Sequence, residues 1–202
     1  MSISDTTRDA YLEKLLEAMD FERLSVSLME DVAHELDLPK SYVKACFPDL
    51  CESAAKAISG LFTEQMLATL SKQDNDKLKI RERICESIMA RFEVMEPHRE
   101  AVRQLVMYWT RPSRLLTGGG VVWDVADAIW VWAGDTSTDY NRYTKRGLLS
   151  GVLTSSMLFW LQLPADHPDK LGTTRAFVAR RIENVLEIGK LVGRFTPKKQ
   201  AS

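Results

Sequence analysis

The chain has 202 residues, of which 45% are hydrophobic and 27% charged, with a formal net charge of −1. This composition predicts a globular protein of about one domain that buries its own core, and it excludes a disordered chain or a strongly basic one. The three cysteines, Cys46, Cys51 and Cys85, lack the spacing of metal ligands and favour a reducing compartment.

Neither a membrane span nor a targeting segment is recognised in the sequence. It contains no run of about 20 apolar residues, the length that a bilayer requires. The start, MSISDTTRDA, has neither the basic-then-apolar order of a secretion signal nor an arginine-rich transit character. The sequence therefore predicts a cytoplasmic protein.

Residues 1–70 are predicted to form an amino-terminal region that contains a helix-turn-helix. Helical periodicity of apolar residues predicts helices at 6–19, 25–36, 40–46 and 50–70. The segment 25–33 (SVSLMEDVA), the turn 37–40 (DLPK) and the phrase 47–49 (FPD) resemble the amino-terminal domain of the TetR transcription regulators. In that family the short helix enters the major groove of DNA, and Tyr42 and Lys44 are the possible contacts here.

The charge of this region argues against DNA as a partner. Residues 1–70 hold six Lys or Arg and thirteen Asp or Glu, a net charge of −7, so the rest of the chain carries +6. Affinity for DNA comes chiefly from basic side chains that neutralise phosphates. In addition, Asp37 stands where the turn usually has glycine, and Lys44 where an aromatic is usual. We interpret the helix-turn-helix as a degenerate one that serves packing.

Residues 76–195 are predicted to form a helical-bundle domain for ligand binding and dimerisation, with a joint at 71–75 and a basic tail at 196–202. Helical periodicity predicts helices at 78–96, 98–109, 121–133, 137–161 and 173–191. The segment 117–120 (TGGG) is predicted to be a flexible joint. It is not interpreted as a phosphate loop, since no strand precedes it and no Lys-Ser/Thr pair follows.

The helix predicted at 121–133 is unusually apolar. All five tryptophans of the chain lie between Trp109 and Leu163, and within 121–133 only Asp124 and Asp127 are polar. A surface helix of a small domain needs far less apolar surface. The excess is therefore expected to lie in a core, a ligand cavity, a partner interface or a membrane interface.

Small residues recur along the helix predicted at 137–161. They lie at steps of three and four, at Gly147, Ser150, Gly151, Thr154 and Ser155. This stripe indicates close packing by a neighbouring helix or by an elongated apolar ligand. Between this helix and the preceding one, Gly134 suits a left-handed helix end and Thr136 with Asp139 fits a capping box.

No active site is recognised in the sequence. The histidines, His34, His98 and His167, lie on three different elements, and no Ser or Cys occupies a nucleophile turn. The aspartates around the central turn have no histidine partners, so we interpret them as capping and recognition groups and not as metal ligands. The prediction is a non-enzymatic protein with no catalytic residue, metal or cofactor.

The central segment carries a more specific pattern at 130–141 (WVWAGDTSTDYN) and 143–146 (YTKR). An aromatic pair, Ala-Gly-Asp, Ser-Thr-Asp, an aromatic, Asn, Tyr-Thr and two basic residues resemble the signature of the coenzyme Q protein nine family of ubiquinone biosynthesis. The resemblance implies an all-α, TetR-like fold. It also implies an accessory protein that binds isoprenoid lipid and presents a quinone intermediate to the di-iron demethoxyubiquinone hydroxylase at the membrane.

The same resemblance assigns residues to the hydroxylase contact. Carried over to this chain, they are Asp127, Trp130, Gly134, Asp135, Tyr143 and Arg146. Arg142 departs from the pattern, because animal members have an aromatic there. Eukaryotic members also continue into a further amphipathic membrane-binding helix, so the short tail and the absence of a transit segment suit a bacterial member.

An isoprenoid chain has no charge for a side chain to bind, so its site needs apolar walls and small residues where it passes a backbone. The candidate lipid-binding residues are Trp109, Trp123, Gly147, Gly151, Leu153, Met157 and Trp160. Each of the large ones is also compatible with a plain core position. We expect a homodimer that lies peripherally on the cytoplasmic face of the inner membrane and binds no nucleic acid, and the alternative is a ligand-responsive TetR-type repressor.

Overall fold

The computed structural model describes residues 5–72, 77–138 and 140–195, and these ranges contain α-helices and no strand. The α-helices are α1 (Asp5–Met19), α2 (Val26–Glu35), α3 (Ser41–Cys46), α4 (Cys51–Leu70), α5 (Ile80–Met95), α6 (Arg99–Trp109), α7 (Leu115–Trp132), α8 (Tyr140–Gln162) and α9 (Lys170–Phe195). Single 3-10 turns, Glu96–His98 and Pro112–Arg114, lead into α6 and α7. The predicted all-α class is confirmed.

One hydrophobic core continues through these helices, from Tyr11 in α1 to Ile182 in α9. The helix pair α4 and α5 connects the amino-terminal helices to the rest, and α7, α8 and α9 pack in sequence against each other. Within the described ranges, none of the helices is both long enough and apolar enough to cross a bilayer. The predicted tail at 196–202, Asp139 and most of the predicted joint at 71–75 lie outside the described residues.

The predicted helix-turn-helix is present as α2 and α3. Ser25 caps α2, and its Oγ accepts a hydrogen bond of 3.1 Å from the amide of Leu28. In α3, Tyr42 is buried, with its ring centroid 5.3 Å from that of Tyr11. Burial raises the pKa of Tyr42 above its ordinary value. A buried tyrosine is not available to DNA, which leaves Lys44 as the exposed member of the two predicted contacts.

The turn between α2 and α3 holds Asp37 in the left-handed region, with a φ of 53°. A side chain makes this conformation unfavourable, and glycine adopts it without cost. We expect Asp37→Gly to raise the free energy of unfolding by about 0.5 kcal/mol in urea denaturation. The same change at Asp31, exposed within α2, should lower that free energy by about 0.3 kcal/mol. Equal destabilisation at both positions would contradict the strain at Asp37.

The prediction of a flexible joint at 117–120 is wrong, because α7 already begins at Leu115 and the three glycines are helical. A β-carbon at position 118 would lie 2.8 Å from Cβ of Trp109, a distance that real β-carbons do not reach. Gly118 therefore allows α6 and α7 to cross closely. This packing outweighs the cost of about 1 kcal/mol for each glycine in a helix.

Candidate functional site at the α7–α8 turn

A tight helix end at Gly134 reverses the chain between α7 and α8. Gly134 has a φ of 89°, the left-handed conformation that the sequence predicts there. Its amide donates a hydrogen bond of 3.1 Å to the carbonyl of Val131, and the amide of Asp135 donates one of 2.9 Å to the carbonyl of Trp130. This is the Schellman arrangement, which satisfies the last carbonyls of a helix. It directs α8 back along α7 and places Asp135 beneath the turn.

A buried cluster of charged groups joins the turn to both helices. The Asp135 carboxylate, only 4% exposed, accepts hydrogen bonds from Lys145 Nζ at 2.6 Å, Ser137 Oγ at 2.8 Å and Arg146 Nη1 at 3.0 Å. The Arg146 side chain is 2% exposed, and its Nε also donates to Asp127 on α7. Arg146 thus links α7, the turn and α8, and we call these five residues the charge cluster.

Asp135 and Arg146 keep their charges across the physiological pH range. Burial alone raises the pKa of Asp135, but hydrogen bonds from Lys145, Ser137 and Arg146 lower it further than burial raises it, so that this pKa lies well below its usual value. Burial alone lowers the pKa of Arg146, and the hydrogen bonds to Asp127 and Asp135 raise it above its ordinary value. The ion pair between Asp135 and Arg146 is therefore a fixed structural support at neutral pH.

An aromatic surface lies over this support. The Trp123 and Tyr143 ring centroids are 6.2 Å apart, and Tyr143 is 62% exposed. Trp130 is half-buried, with Lys145 Nζ 5.3 Å from its ring centroid, and its Nε1 is buried with no hydrogen-bond partner in the described part of the chain. We define the α7–α8 patch as Trp123, Trp130, Val131, Tyr140 and Tyr143.

The residues predicted to contact the hydroxylase therefore divide into two groups. Trp130 and Tyr143 reach the surface, with Asp127 one-third exposed and paired also with Arg142 at 3.2 Å. Asp135 and Arg146 are buried beneath them. Sequence alone places Arg146 on a surface, because a charged side chain is rarely interpreted as buried when its partner lies eleven positions away.

The predicted lipid-binding residues lie in different environments. Trp160 is fully buried, with its ring centroid 5.4 Å from that of Phe92, and its Nε1 donates a hydrogen bond of 2.7 Å to Glu96. Leu153 is also buried, and Trp109 and Met157 are half-buried and pack against the core. Trp123 is half-buried in the α7–α8 patch. In this structure Trp160 and Leu153 are core residues.

Two residues of the small-residue stripe on α8 have no close neighbour within the described chain. Gly147 and Gly151 are exposed, and no neighbouring atom lies within 4 Å of a β-carbon built at either position. At these two glycines, the predicted close packing is therefore not made by another helix of the described chain.

A groove of about 490 Å3 separates α4 from α7, and none of the predicted lipid-binding residues lines it. Its walls include Ser59, Gly60 and Thr63 from α4 and Gly120 and Val121 from α7. A second groove, of about 440 Å3, follows α9 around Phe177, and the predicted residues do not line that one either.

Arg91 of α5 lies behind the α4–α7 groove, and the sequence analysis missed it. Its side chain is 7% exposed, and it donates hydrogen bonds to Thr63 Oγ1 at 2.9 Å and Ser59 Oγ at 3.1 Å. No ion pair links it to a carboxylate of the described residues, and burial lowers its pKa to about 10. The signal in the sequence is an arginine on the apolar face of α5, one turn after Ile88.

Known proteins resemble both the fold and the central segment. The crystal structure of a TetR transcriptional regulator from Nitrosomonas europaea superposes with a TM-score of 0.68 and 18% identity, covering 90% of this chain and 99% of that one. At this identity the similarity shows the fold alone, and it confirms the predicted TetR-like architecture. A family model described as COQ9 matches residues 117–189, which run from α7 into α9 and include the whole α7–α8 turn.

Curated relatives agree with the family model. The probable ubiquinone biosynthesis protein coq9 of Dictyostelium discoideum is 29% identical over 161 residues, covering 79% of this chain and 47% of that protein. The ubiquinone biosynthesis protein COQ9 of Xenopus tropicalis is 26% identical, covering 87% of this chain and 51% of its own. Both are named as mitochondrial, and the chain spans about half the length of these relatives. The signature at the α7–α8 turn, the matching family model and these relatives show that this chain is similar to COQ9 proteins, most clearly over residues 117–189.

Proposed function

We propose that this protein is a non-enzymatic accessory protein of ubiquinone biosynthesis. In this proposal it binds isoprenoid lipid and presents a quinone intermediate to the di-iron demethoxyubiquinone hydroxylase at a membrane, to which it attaches peripherally. The names of the curated relatives support the pathway. The α7–α8 patch is the observation that supports a protein partner most directly.

The patch has the composition of a protein-binding surface. Its centre is aromatic, with Tyr143 exposed over half of its area and the ring of Trp123 beside it. Its edge is charged, with the ion pair between Arg142 and Asp127 at 3.2 Å. Aromatic centres with a polar rim carry most of the binding energy in protein interfaces. The charge cluster underneath fixes the two helices, so that little ordering is required on binding.

Tyr143→Ala is expected to raise the Kd for the hydroxylase about 30-fold, which corresponds to roughly 2 kcal/mol for a central aromatic. Because Tyr143 is 62% exposed, its removal should leave the melting temperature nearly unchanged. Isothermal titration with the purified hydroxylase measures the first quantity, and differential scanning calorimetry the second.

Phe21→Ala provides the matched control for this prediction. Phe21 is an aromatic that is 91% exposed in the loop after α1, outside the α7–α8 patch. Its removal should change neither the Kd nor the melting temperature. If Tyr143→Ala binds the hydroxylase as tightly as the Phe21 variant does, the patch is not the contact.

In this proposal, lipid binds to the half-buried candidate residues and to the exposed glycines of α8. Trp160 and Leu153 are left out because they belong to the core. Trp109, Trp123 and Met157 have apolar area at the surface, and Gly147 with Gly151 leaves the backbone of α8 accessible. Protein purified from cells is expected to release isoprenoid or phospholipid into an organic extract analysed by mass spectrometry. An empty extract, together with no uptake from vesicles, would remove lipid binding from the proposal.

DNA is not a partner in this proposal. The amino-terminal region carries a net charge of −7, and its helix α3 buries Tyr42. A gel-shift experiment with genomic fragments is expected to show no salt-sensitive complex. A specific complex with a palindromic fragment would favour the repressor that the sequence analysis keeps as its alternative.

A further inference from the structure

The connection between α6 and α7 exposes leucines beside arginines. Leu115 and Leu116, the first residues of α7, are 59% and 94% exposed, and Met107 in the last turns of α6 is 59% exposed. Arg111 and Arg114 lie in the connecting segment between them. We call these five residues the α6–α7 corner. Large apolar side chains that are this exposed at one place on a surface indicate an interaction site.

The corner is held rigidly by the helices that it joins. Gly118, one turn after Leu115, lies against Cβ of Trp109 and fixes the crossing of α6 and α7. The Arg114 guanidinium stacks 3.9 Å from the ring centroid of Tyr108. The backbone that carries the exposed leucines is therefore held in place by these contacts. Little conformational entropy is lost when a binding partner covers the leucines.

The segment that carries the leucines has positive charges only, and Glu52 of the neighbouring α4 is paired with Lys56 at 2.9 Å. Residues 101–123 contain three arginines and no aspartate or glutamate. One of the three, Arg103, is committed to Glu100 and to the carbonyl of Leu161. Arg111 is exposed and directly precedes the 3-10 turn that leads to Leu115. Exposed apolar side chains can enter the acyl region of a bilayer, and arginines beside them can bind the anionic headgroups. The corner therefore has the composition of a membrane-surface contact.

We propose that the α6–α7 corner docks on an anionic lipid bilayer, with Leu115 and Leu116 entering the acyl region and Arg111 contacting headgroup phosphates. This inference rests on the proposed function, for which it supplies the membrane contact. The corner and Val131 of the α7–α8 patch lie 16 residues apart on α7, which is about 24 Å. The corner therefore lies at the end of α7 opposite to Val131, and Trp123 of the patch lies between them, eight residues after Leu115.

Sedimentation of the full chain with vesicles tests this proposal. The probes are vesicles of phosphatidylcholine alone and of phosphatidylcholine with equimolar phosphatidylglycerol. Leu116→Glu is expected to weaken binding to the anionic vesicles about ten-fold. Arg111→Glu should reduce the preference for anionic over neutral vesicles. Because Leu116 is 94% exposed, circular dichroism and the melting temperature should stay unchanged.

Ile80→Glu is the matched control, because Ile80 is 55% exposed at the start of another helix, α5, outside the corner and the α7–α8 patch. It should bind vesicles as the wild type does. The proposal is overturned if the wild type does not bind anionic vesicles or if Leu116→Glu binds them unchanged. It is also overturned if Leu116→Glu dissociates a dimer, since the corner would then be covered by a second copy. Loss of hydroxylase binding in Tyr143→Ala with retained vesicle binding separates this inference from the proposed function.

Discussion

Asp135→Asn is expected to lower the free energy of unfolding by about 2 kcal/mol at pH 7, because Lys145 loses its anionic partner and Arg146 keeps only Asp127 as one. The change keeps the size and shape of the side chain, so packing is not altered. Chemical denaturation in urea at constant ionic strength measures the difference. Asp124→Asn, at an exposed position on α7, should change the free energy by less than about 0.5 kcal/mol.

The pH dependence of this difference follows from the direction of the pKa shift. The pKa of Asp135 is lower in the folded state than in the unfolded chain, where it lies near 3.9. The carboxylate therefore stabilises the fold above that unfolded value, and the contribution is lost as the pH falls toward the folded pKa. The stability of the wild type should therefore begin to approach that of Asp135→Asn as the pH falls below about 4, and should continue to do so down to the folded pKa. A difference that is independent of pH between 3 and 7 would show that the cluster does not act through the charge of Asp135.

Trp160→Ala is expected to lower the free energy of unfolding by about 4 kcal/mol. Trp160 is fully buried against Phe92, and its indole also satisfies Glu96 through a hydrogen bond of 2.7 Å. Its removal leaves a large cavity, and the Glu96 carboxylate loses the hydrogen bond that the indole donates to it. Thermal and urea denaturation should both show the loss.

Leu158→Ala, two residues earlier on α8, serves as the control because Leu158 is 46% exposed. It should cost less than about 1 kcal/mol. Trp160→Phe should lie between the two variants, since it keeps the ring next to Phe92 and removes the hydrogen bond to Glu96. If Trp160→Ala instead keeps its stability and loses extractable lipid, then Trp160 lines a lipid site in solution.

Local patterns in the sequence predicted most of the helices. The boundaries of α4 and α6 agree with the predicted ones to within a residue, because their apolar spacing and flanking prolines or turns are clear. Gly134 was predictable for the same reason, since glycine after an apolar helix is typical of a left-handed helix end. The segment 117–120 was not, because a close crossing between α6 and α7 depends on tertiary contact with Trp109.

In the candidate site, too, the features that depend on tertiary contacts could not be predicted from the sequence. Trp130 and Tyr143 were recognised through a family signature, and the structure places both at the α7–α8 patch. The burial of Arg146 and Arg91 was not predictable, because it depends on which oxygens the fold brings within reach of each guanidinium. The exposure of Leu116 was not predicted, because the sequence analysis begins this helix at residue 121 and leaves Leu116 in the connection before it.

The charge cluster and the α7–α8 patch form the physical basis of the proposed function. The cluster buries charged side chains that hold two helices in one geometry, and the patch displays aromatic area on those helices. The α6–α7 corner adds a second exposed apolar site at the other end of α7. One helix thus carries a proposed lipid contact at its start and a proposed protein contact at its end.

Hydrogen–deuterium exchange of the full chain, with and without the purified di-iron hydroxylase, tests whether the α7–α8 patch is the contact for that enzyme. We expect slower exchange on complex formation in peptides that cover residues 127–146, which are the end of α7, the turn and the start of α8. Exchange in α2 and α3 should be unchanged. Protection confined to α2 and α3, or a complex that leaves 127–146 unprotected, would show that the hydroxylase does not bind at the patch.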